Sequence, residues 1–162
     1  MIVSDASPLI YLSKINQLEL LKKLFGNVFI PGEVYQEVVI RGKIDSHSDA
    51  IIIERAVGKW INIVKINDTQ KLANFEELDK GEMETIILAL NKKANLVLID
   101  EACGREIARN LGLNVKGTVY VLLLAYQKKI LSREEIKKSF ELLIGYGFRL
   151  APELYAKILN RL

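Results

Sequence analysis

Leu96-Val97-Leu98-Ile99-Asp100 is the stretch that decides the fold. Four apolar residues in a row, with no polar alternation, fit a strand buried on both faces. That is the condition of a parallel sheet covered by helices. The acid that follows sits at the strand's carboxyl end. A helical pattern starts at once, Glu101 to Leu111, closed by Gly112. The chain opens the same way. Ile2-Val3-Ser4-Asp5 reads as strand one and runs into a helical segment.

Working outward, Asn27-Val28-Phe29-Ile30, closed by Pro31-Gly32, reads as strand two. Ile61 to Ile66 is rich in β-branched residues, and Asn114-Val115-Lys116 is a short last strand. Ser7-Pro8 gives an N-cap and a proline at the first helical position. Leu9 to Phe25 holds one or two helices ended by Gly26. Glu33–Arg41 and Asp49–Val57 form a second helical stretch. Lys80–Ala94 is amphipathic, with Met83, Ile86, Ile87, Leu90 and Ala94 on one face. Thr118–Lys129, Arg133–Ile144 and Pro152–Leu162 are helical. Alternating strands and helices give an α/β class with a mainly parallel sheet. Ligands bind such sheets at the carboxyl edge, where the strand order reverses.

Composition removes most other designs. The chain has 162 residues, 50% of them hydrophobic and 27% charged, which supports a full core. The single Cys103 excludes an intrachain disulfide and a cysteine-rich zinc site, and the single His47 excludes any two-imidazole site. No apolar run approaches the ~18 residues needed to span a membrane. The N-terminus lacks a basic region before its apolar residues, so no signal peptide is expected, and one thiol suits the cytoplasm. The net charge of +3 is uneven: residues 1–100 carry 12 Lys and Arg against 14 Asp and Glu, and residues 101–162 carry 11 against 6. A basic C-terminal portion could bind a polyanion or form ordinary solvated helix faces.

The chemistry lies in the carboxylates. Asp5 and Asp100 end two apolar strands. Each could cap a helix or face its partner across the sheet edge. Glu82, in Asp79-Lys80-Gly81-Glu82, fits the third residue of a capping box with Asp79 and fits equally an acid aimed at Asp5. Glu84, two residues on, faces elsewhere. Glu33 and Glu37 share a helix face, on which Arg41 is the next partner. Carboxylates a few ångströms apart cannot all ionise. A divalent cation resolves the conflict, and all-oxygen donors select Mg²⁺ or Mn²⁺. Such ions hydrolyse phosphodiesters without a histidine base.

The chain resembles a PIN domain, the nuclease fold of VapC-type toxins. The resemblance rests on four motifs in order: Ile2-Val3-Ser4-Asp5-Ala6-Ser7-Pro8-Leu9-Ile10, Pro31-Gly32-Glu33-Val34-Tyr35-Gln36-Glu37-Val38, Leu78-Asp79-Lys80-Gly81-Glu82-Met83-Glu84-Thr85-Ile86, and Leu98-Ile99-Asp100-Glu101 with Arg105. The Leu-Asp-x-Gly-Glu stretch and the later Gly112-Leu113, Val115, Gly117-Thr118 run are similar to an archaeal and bacterial subgroup. The resemblance implies a three-layer α/β/α sandwich with four or five strands. It implies a nuclease domain over residues 1–130 and a C-terminal helical extension over 131–162. That extension could pack a dimer, clamp an RNA or cover a sheet face. The resemblance further implies an acidic quartet of Asp5, Glu37, Glu82 and Asp100 holding one or two Mg²⁺ or Mn²⁺ ions. Ser7 would support Asp5 or a bound water. Glu101, Thr118 and Arg105 stand behind them, with Arg105 expected in a salt bridge. The implied activity is a metal-dependent endoribonuclease acting on single-stranded or structured RNA. Its implied partners are an antitoxin and a second copy of the chain. The alternatives are a non-catalytic RNA-binding module and a different phosphate-handling α/β fold. The first strand lacks the Asp-x-Asp of haloacid-dehalogenase-like phosphatases, and no receiver-like lysine follows a late strand.

Four residues outside the motifs have plain expectations. His47 is expected in an exposed loop or helix start, and Cys103 as a small residue in a helix's first turn. Trp60 is expected in packing. Tyr146 and Phe148 form an aromatic turn near basic residues, set either for packing or for RNA contact.

Overall fold

The computed structural model describes residues 1–67 and 76–162. Five strands form one sheet: β1 (Ile2–Ser4), β2 (Val28–Pro31), β3 (Ile61–Val64), β4 (Leu96–Leu98) and β5 (Val115–Lys116). Their order is β3-β2-β1-β4-β5, and every pairing is parallel. Register across the centre pairs Ile2 with Leu96, Val3 with Val97 and Ser4 with Leu98. The Asp5 amide continues the ladder by donating to the Leu98 carbonyl at 2.9 Å.

The unbroken apolar reading of β4 has a direct physical basis. Side chains alternate across a strand, and both faces of this sheet are covered. Leu96 and Leu98 join one core cluster, while Val97 and Ile99 join the other. The first cluster is closed by helices α1 (Ala6–Lys14), α2 (Glu19–Phe25), α5 (Ser48–Ala56), α8 (Thr118–Gln127), α9 (Arg133–Gly145) and α10 (Pro152–Arg161). The second is closed by α6 (Lys80–Asn91) and α7 (Ala102–Asn110). This is a three-layer α/β/α sandwich. The C-terminal helices cover the first face: Ile136, Phe140, Leu143 and Ile158 are buried in its core.

Three local expectations are corrected. Helix α1 starts at Ala6, so Asp5 is its N-cap residue and Ser7 lies inside the helix. Pro8 is tolerated there because the first amides of a helix have no intrahelical acceptor. The helical stretch over Glu33–Arg41 is divided into α3 (Gly32–Tyr35) and a π-helical segment (Gln36–Arg41), and it continues into α4 (Gly42–Ile44). The widened turns end where Gly42 packs on α5. A Cβ at 42 would stand 2.9 Å from the Ala50 Cβ, so only glycine fits. Helix α6 is also buried on more sides than one stripe: Gly81, Glu82, Glu84, Thr85, Leu88 and Ala89 are buried with Ile86 and Ile87.

Strand order reverses between β1 and β4. The carboxyl ends of these two strands carry Asp5 and Asp100, so the topology puts both at the switch point of the sheet.

Candidate functional site

Asp5 lies at the N-cap position of α1, yet its carboxylate makes no capping hydrogen bond. It is 3% exposed, and the Thr85 hydroxyl donates to it at 3.4 Å. Ser7, expected in that supporting role, makes no such bond. Burial raises the Asp5 pKa to about 8; the Ala6 amide opposes the rise, and the charges of Glu82, Asp79 and Glu37 add to it.

Glu82 adopts the capping-box geometry. Its amide donates to the Asp79 carboxylate at 2.8 Å, and its own Oε2 accepts from the Asp79 amide at 3.1 Å. Its other oxygen, Oε1, reaches toward α7, where a Cβ on Gly104 would stand 2.7 Å away. The carboxylate therefore caps α6 with one oxygen and lies close against α7 with the other. Burial raises its pKa, and Asp79, Glu101 and Glu37 add to the rise.

Glu37 is half-buried in the π-helical segment, a distortion that recurs at functional sites. Its Oε2 lies 3.2 Å, and the Asp79 Oδ1 3.3 Å, from where a Gly81 Cβ would be. Gly81 thus makes room for two carboxylates at once. Burial raises the Glu37 pKa, with Asp79 next in effect. Arg41 does not pair with Glu37. It bonds to Glu33, which also accepts from Lys80 at 2.7 Å. The Lys80 hydrogen bond holds the Glu33 pKa down.

Asp100 has a different environment. Both its oxygens are bound at the start of α8: the Thr118 amide donates at 2.7 Å and the Thr118 hydroxyl at 2.6 Å. It caps a helix that begins eighteen residues later, while Glu101 holds the N-cap position of α7. Burial still raises its pKa, against the Thr118 bonds and Arg105. Among the described residues, Arg105 forms no salt bridge. Its guanidinium donates to the Ile99 carbonyl at 3.1 Å, in electrostatic reach of Asp100.

Asp5, Glu37, Glu82 and Asp79 act on one another, Thr118 and Arg105 act on Asp100, and Glu101 acts on both Glu82 and Asp100. The donors are hard oxygens, which suits Mg²⁺ or Mn²⁺. Among the described residues, however, no three His, Cys, Asp or Glu side chains stand close enough to hold an ion together. The reason is local: bare carboxylates repel, Glu82 satisfies its own helix start, and Asp100 satisfies α8.

Two contributors escaped the sequence reading. Glu84 is buried and accepts from the Glu33 amide at 3.0 Å, fixing the start of α3. Thr85 lies one helical turn from Glu82, a spacing that could have flagged it. His47 is the exposed N-cap residue of α5, and Cys103 is exposed in the first turn of α7. Trp60 is buried, and Phe148 packs edge-on against Tyr11 with ring centroids 5.0 Å apart.

Among the described residues, no helix is long and apolar enough to cross a membrane. No curated protein matches the chain. A family model described as a PIN domain matches residues 1–162, the full length of the sequence. The chain belongs to the PIN-domain family.

Proposed function

We propose that this PIN domain is a metal-dependent endoribonuclease of the VapC-like kind, with Asp5, Glu37, Glu82 and Asp100 as its acidic quartet. The observation that carries the reading is Asp5: a buried carboxylate at the switch point of the sheet, capping nothing and faced by three other acids. Such a group is costly to keep charged unless a cation joins it. Mg²⁺ or Mn²⁺ bound by the quartet would supply an activated water and neutralise charge on the phosphodiester oxygens. Glu82 could join an ion through Oε1 while Oε2 keeps the Asp79 amide. Thr85 orients Asp5, Thr118 orients Asp100, and Arg105 adds its charge nearby. An antitoxin and a second copy of the chain belong to this reading. Ile44, 75% exposed on α4, and Ile51, 47% exposed on α5, offer either of them apolar surface.

Cleavage of a labelled single-stranded RNA with Mn²⁺ tests the activity. Wild type should cleave, and Asp5→Asn should lose more than about a hundredfold, beyond the range for a residue that only supports a ligand. Equal cleavage by wild type, Asp5→Asn and Asp100→Asn would mark a contaminant. Growth arrest on expression, relieved by a co-expressed neighbouring gene product, tests the toxin assignment.

A second reading is a non-catalytic RNA-binding module. The capping box at Glu82 and the Thr118 bonds to Asp100 favour it, because both acids have structural work without an ion. RNA binding without cleavage under any divalent cation would select it.

A further inference from the structure

A cleft of about 350 Å³ opens at the amino edge of the sheet, away from Asp5 and Asp100. It lies among the end of α1, the start of α2 and the end of α5. Strand direction fixes its place. Trp60 lines the cleft just before β3, and its carbonyl accepts from the Val28 amide, at the start of β2, at 2.9 Å. Asp5 and Asp100 follow the carboxyl ends of their strands, so the two places lie at opposite edges of the sheet. We propose that this cleft binds a small phosphate monoester of nucleotide size. The phosphate would sit on Lys22, Arg55, Lys59 and the Ser13 hydroxyl, with the body of the molecule against Trp60 and Ile52. Its occupation does not depend on the nuclease reading.

Ser13 is the first sign of a ligand. It lines the cleft and is 2% exposed, and its hydroxyl is buried with no hydrogen-bond partner. Its carbonyl is used, accepting from the Asn16 amide at 3.0 Å, so only the side chain is left over. Among the described residues it is the one fully buried side-chain nitrogen or oxygen so left. A buried hydroxyl without a partner is costly and rare. A ligand oxygen entering the cleft would complete it.

Charge selects the chemistry of that ligand. Lys22, Arg55 and Lys59 line the same cleft, and among the described residues none has a carboxylate within salt-bridge distance. Glu19 lies one turn before Lys22 on α2, a spacing that allows pairing, yet the two form no ion pair. Three cations and a hydroxyl exceed what one carboxylate can occupy. A terminal phosphate has three free oxygens, which take the arginine fork and the lysine point charges together. Glu19 is then left to accept from a hydroxyl or amine on the body of the ligand.

The walls and the size point the same way. Trp60 and Ala56 are buried at the cleft, and Ile52 beside them keeps 36% of its surface exposed. An apolar body would cover that surface. The turn that presents Lys59 and Trp60 is fixed. Gly58 takes a φ of 76°, which glycine adopts without strain, and its amide donates to the Ile61 carbonyl at 2.9 Å. The Trp60 amide donates to the Ala56 carbonyl at 3.1 Å. The cleft is therefore formed before anything binds. Its volume is at the low end of the range for small-molecule sites, about 300 to 1,000 Å³, which suits one nucleotide-sized molecule.

Calorimetric titration of the whole chain in EDTA tests this, with AMP, ribose 5-phosphate, adenosine and inorganic phosphate as the probes. EDTA keeps any cation at the acidic edge from contributing. AMP should bind saturably at one site per chain, and adenosine at least about tenfold more weakly. Arg55→Ala and Lys59→Ala should each weaken AMP binding at least about fivefold. Ser13→Ala is the sharpest variant. It removes a hydroxyl that bonds to nothing in the empty cleft, so the melting temperature should hold or rise, while AMP binding falls at least about threefold. Arg149→Ala, in the cleft beside Asp100, should bind AMP as wild type does. The proposal is overturned if neither AMP nor ribose 5-phosphate binds saturably, or if adenosine binds as tightly as AMP. Binding of inorganic phosphate alone marks an adventitious ion only and has the same meaning. Wild-type affinity in Arg55→Ala or in Ser13→Ala overturns it, as does a loss confined to Arg149→Ala, which would move the site to the other edge. A single-stranded RNA without a terminal phosphate that displaces AMP would make the occupant a polymer and overturn it too.

Discussion

Asp5 and Asp100 arise from the same sequence pattern, an apolar strand followed by an acid and a helix, on neighbouring strands of one sheet. Their fates differ. Asp100 is fully engaged, with two hydrogen bonds from Thr118 at the start of α8. Asp5 is the deeper of the two, and it has a long side-chain bond from Thr85, the Ala6 amide and three acids around it. The difference teaches that position at a sheet edge does not set a carboxylate's role. What sets it is whether a helix start or a like charge arrives on its other side. Asp100 has its burial partly offset by the two Thr118 hydrogen bonds, whereas Asp5, with less to offset its burial, is pushed further toward holding a proton.

Mutation should separate the two most strongly. Asp100→Ala leaves the buried Thr118 amide and hydroxyl without their acceptor. The cost is about 2 to 4 kcal/mol, seen as a melting temperature lower by roughly 5 to 15 °C. Asp5→Asn should do the opposite in metal-free protein, raising the melting temperature near pH 8. Destabilisation by both substitutions would erase the distinction.

The pH dependence sharpens the same contrast. A carboxyl whose pKa is raised on folding contributes stability below its unfolded value of about 4, and that contribution is lost as pH rises toward 8. Metal-free wild type should therefore lose melting temperature between about pH 5 and 8, corresponding to a few kcal/mol at most. Asp5→Asn should flatten this slope. A parallel slope in wild type and variant, followed by differential scanning fluorimetry, would place the titrating group elsewhere.

The smallest effects concern the supporting hydroxyls. Thr118→Val removes a 2.6 Å bond to a charged acceptor and should cost about 1 to 3 kcal/mol. Thr85→Val removes only a 3.4 Å contact and should cost well under about 1 kcal/mol. Urea unfolding of both variants checks the order, and a larger loss at Thr85 would reverse it.

The sheet was legible because burial on both faces leaves an unmistakable record in Leu96–Ile99 and Ile2–Val3. The edge positions of Asp5 and Asp100 followed from strand direction alone. The Asp79–Glu82 box was visible as a spacing, although spacing could not choose between cap and ligand. What stayed hidden depends on contacts made across the chain. Glu84 reaches Glu33 from 51 residues away, and Asp100 reaches Thr118 from 18. The close approach of Gly42 to Ala50, just after the π-helical turns, is likewise made across the chain. The room that Gly81 and Gly104 leave for carboxylates appears only once α3, α6 and α7 are packed.

The central claim is that the unpaired Asp5 exists to take a cation. Calorimetric titration of wild type and Asp5→Asn with Mn²⁺ at neutral pH tests it most directly. Wild type should bind Mn²⁺ saturably, and Asp5→Asn should lose at least about tenfold to a hundredfold in affinity. No Mn²⁺ binding by wild type, or equal binding by both, would contradict it.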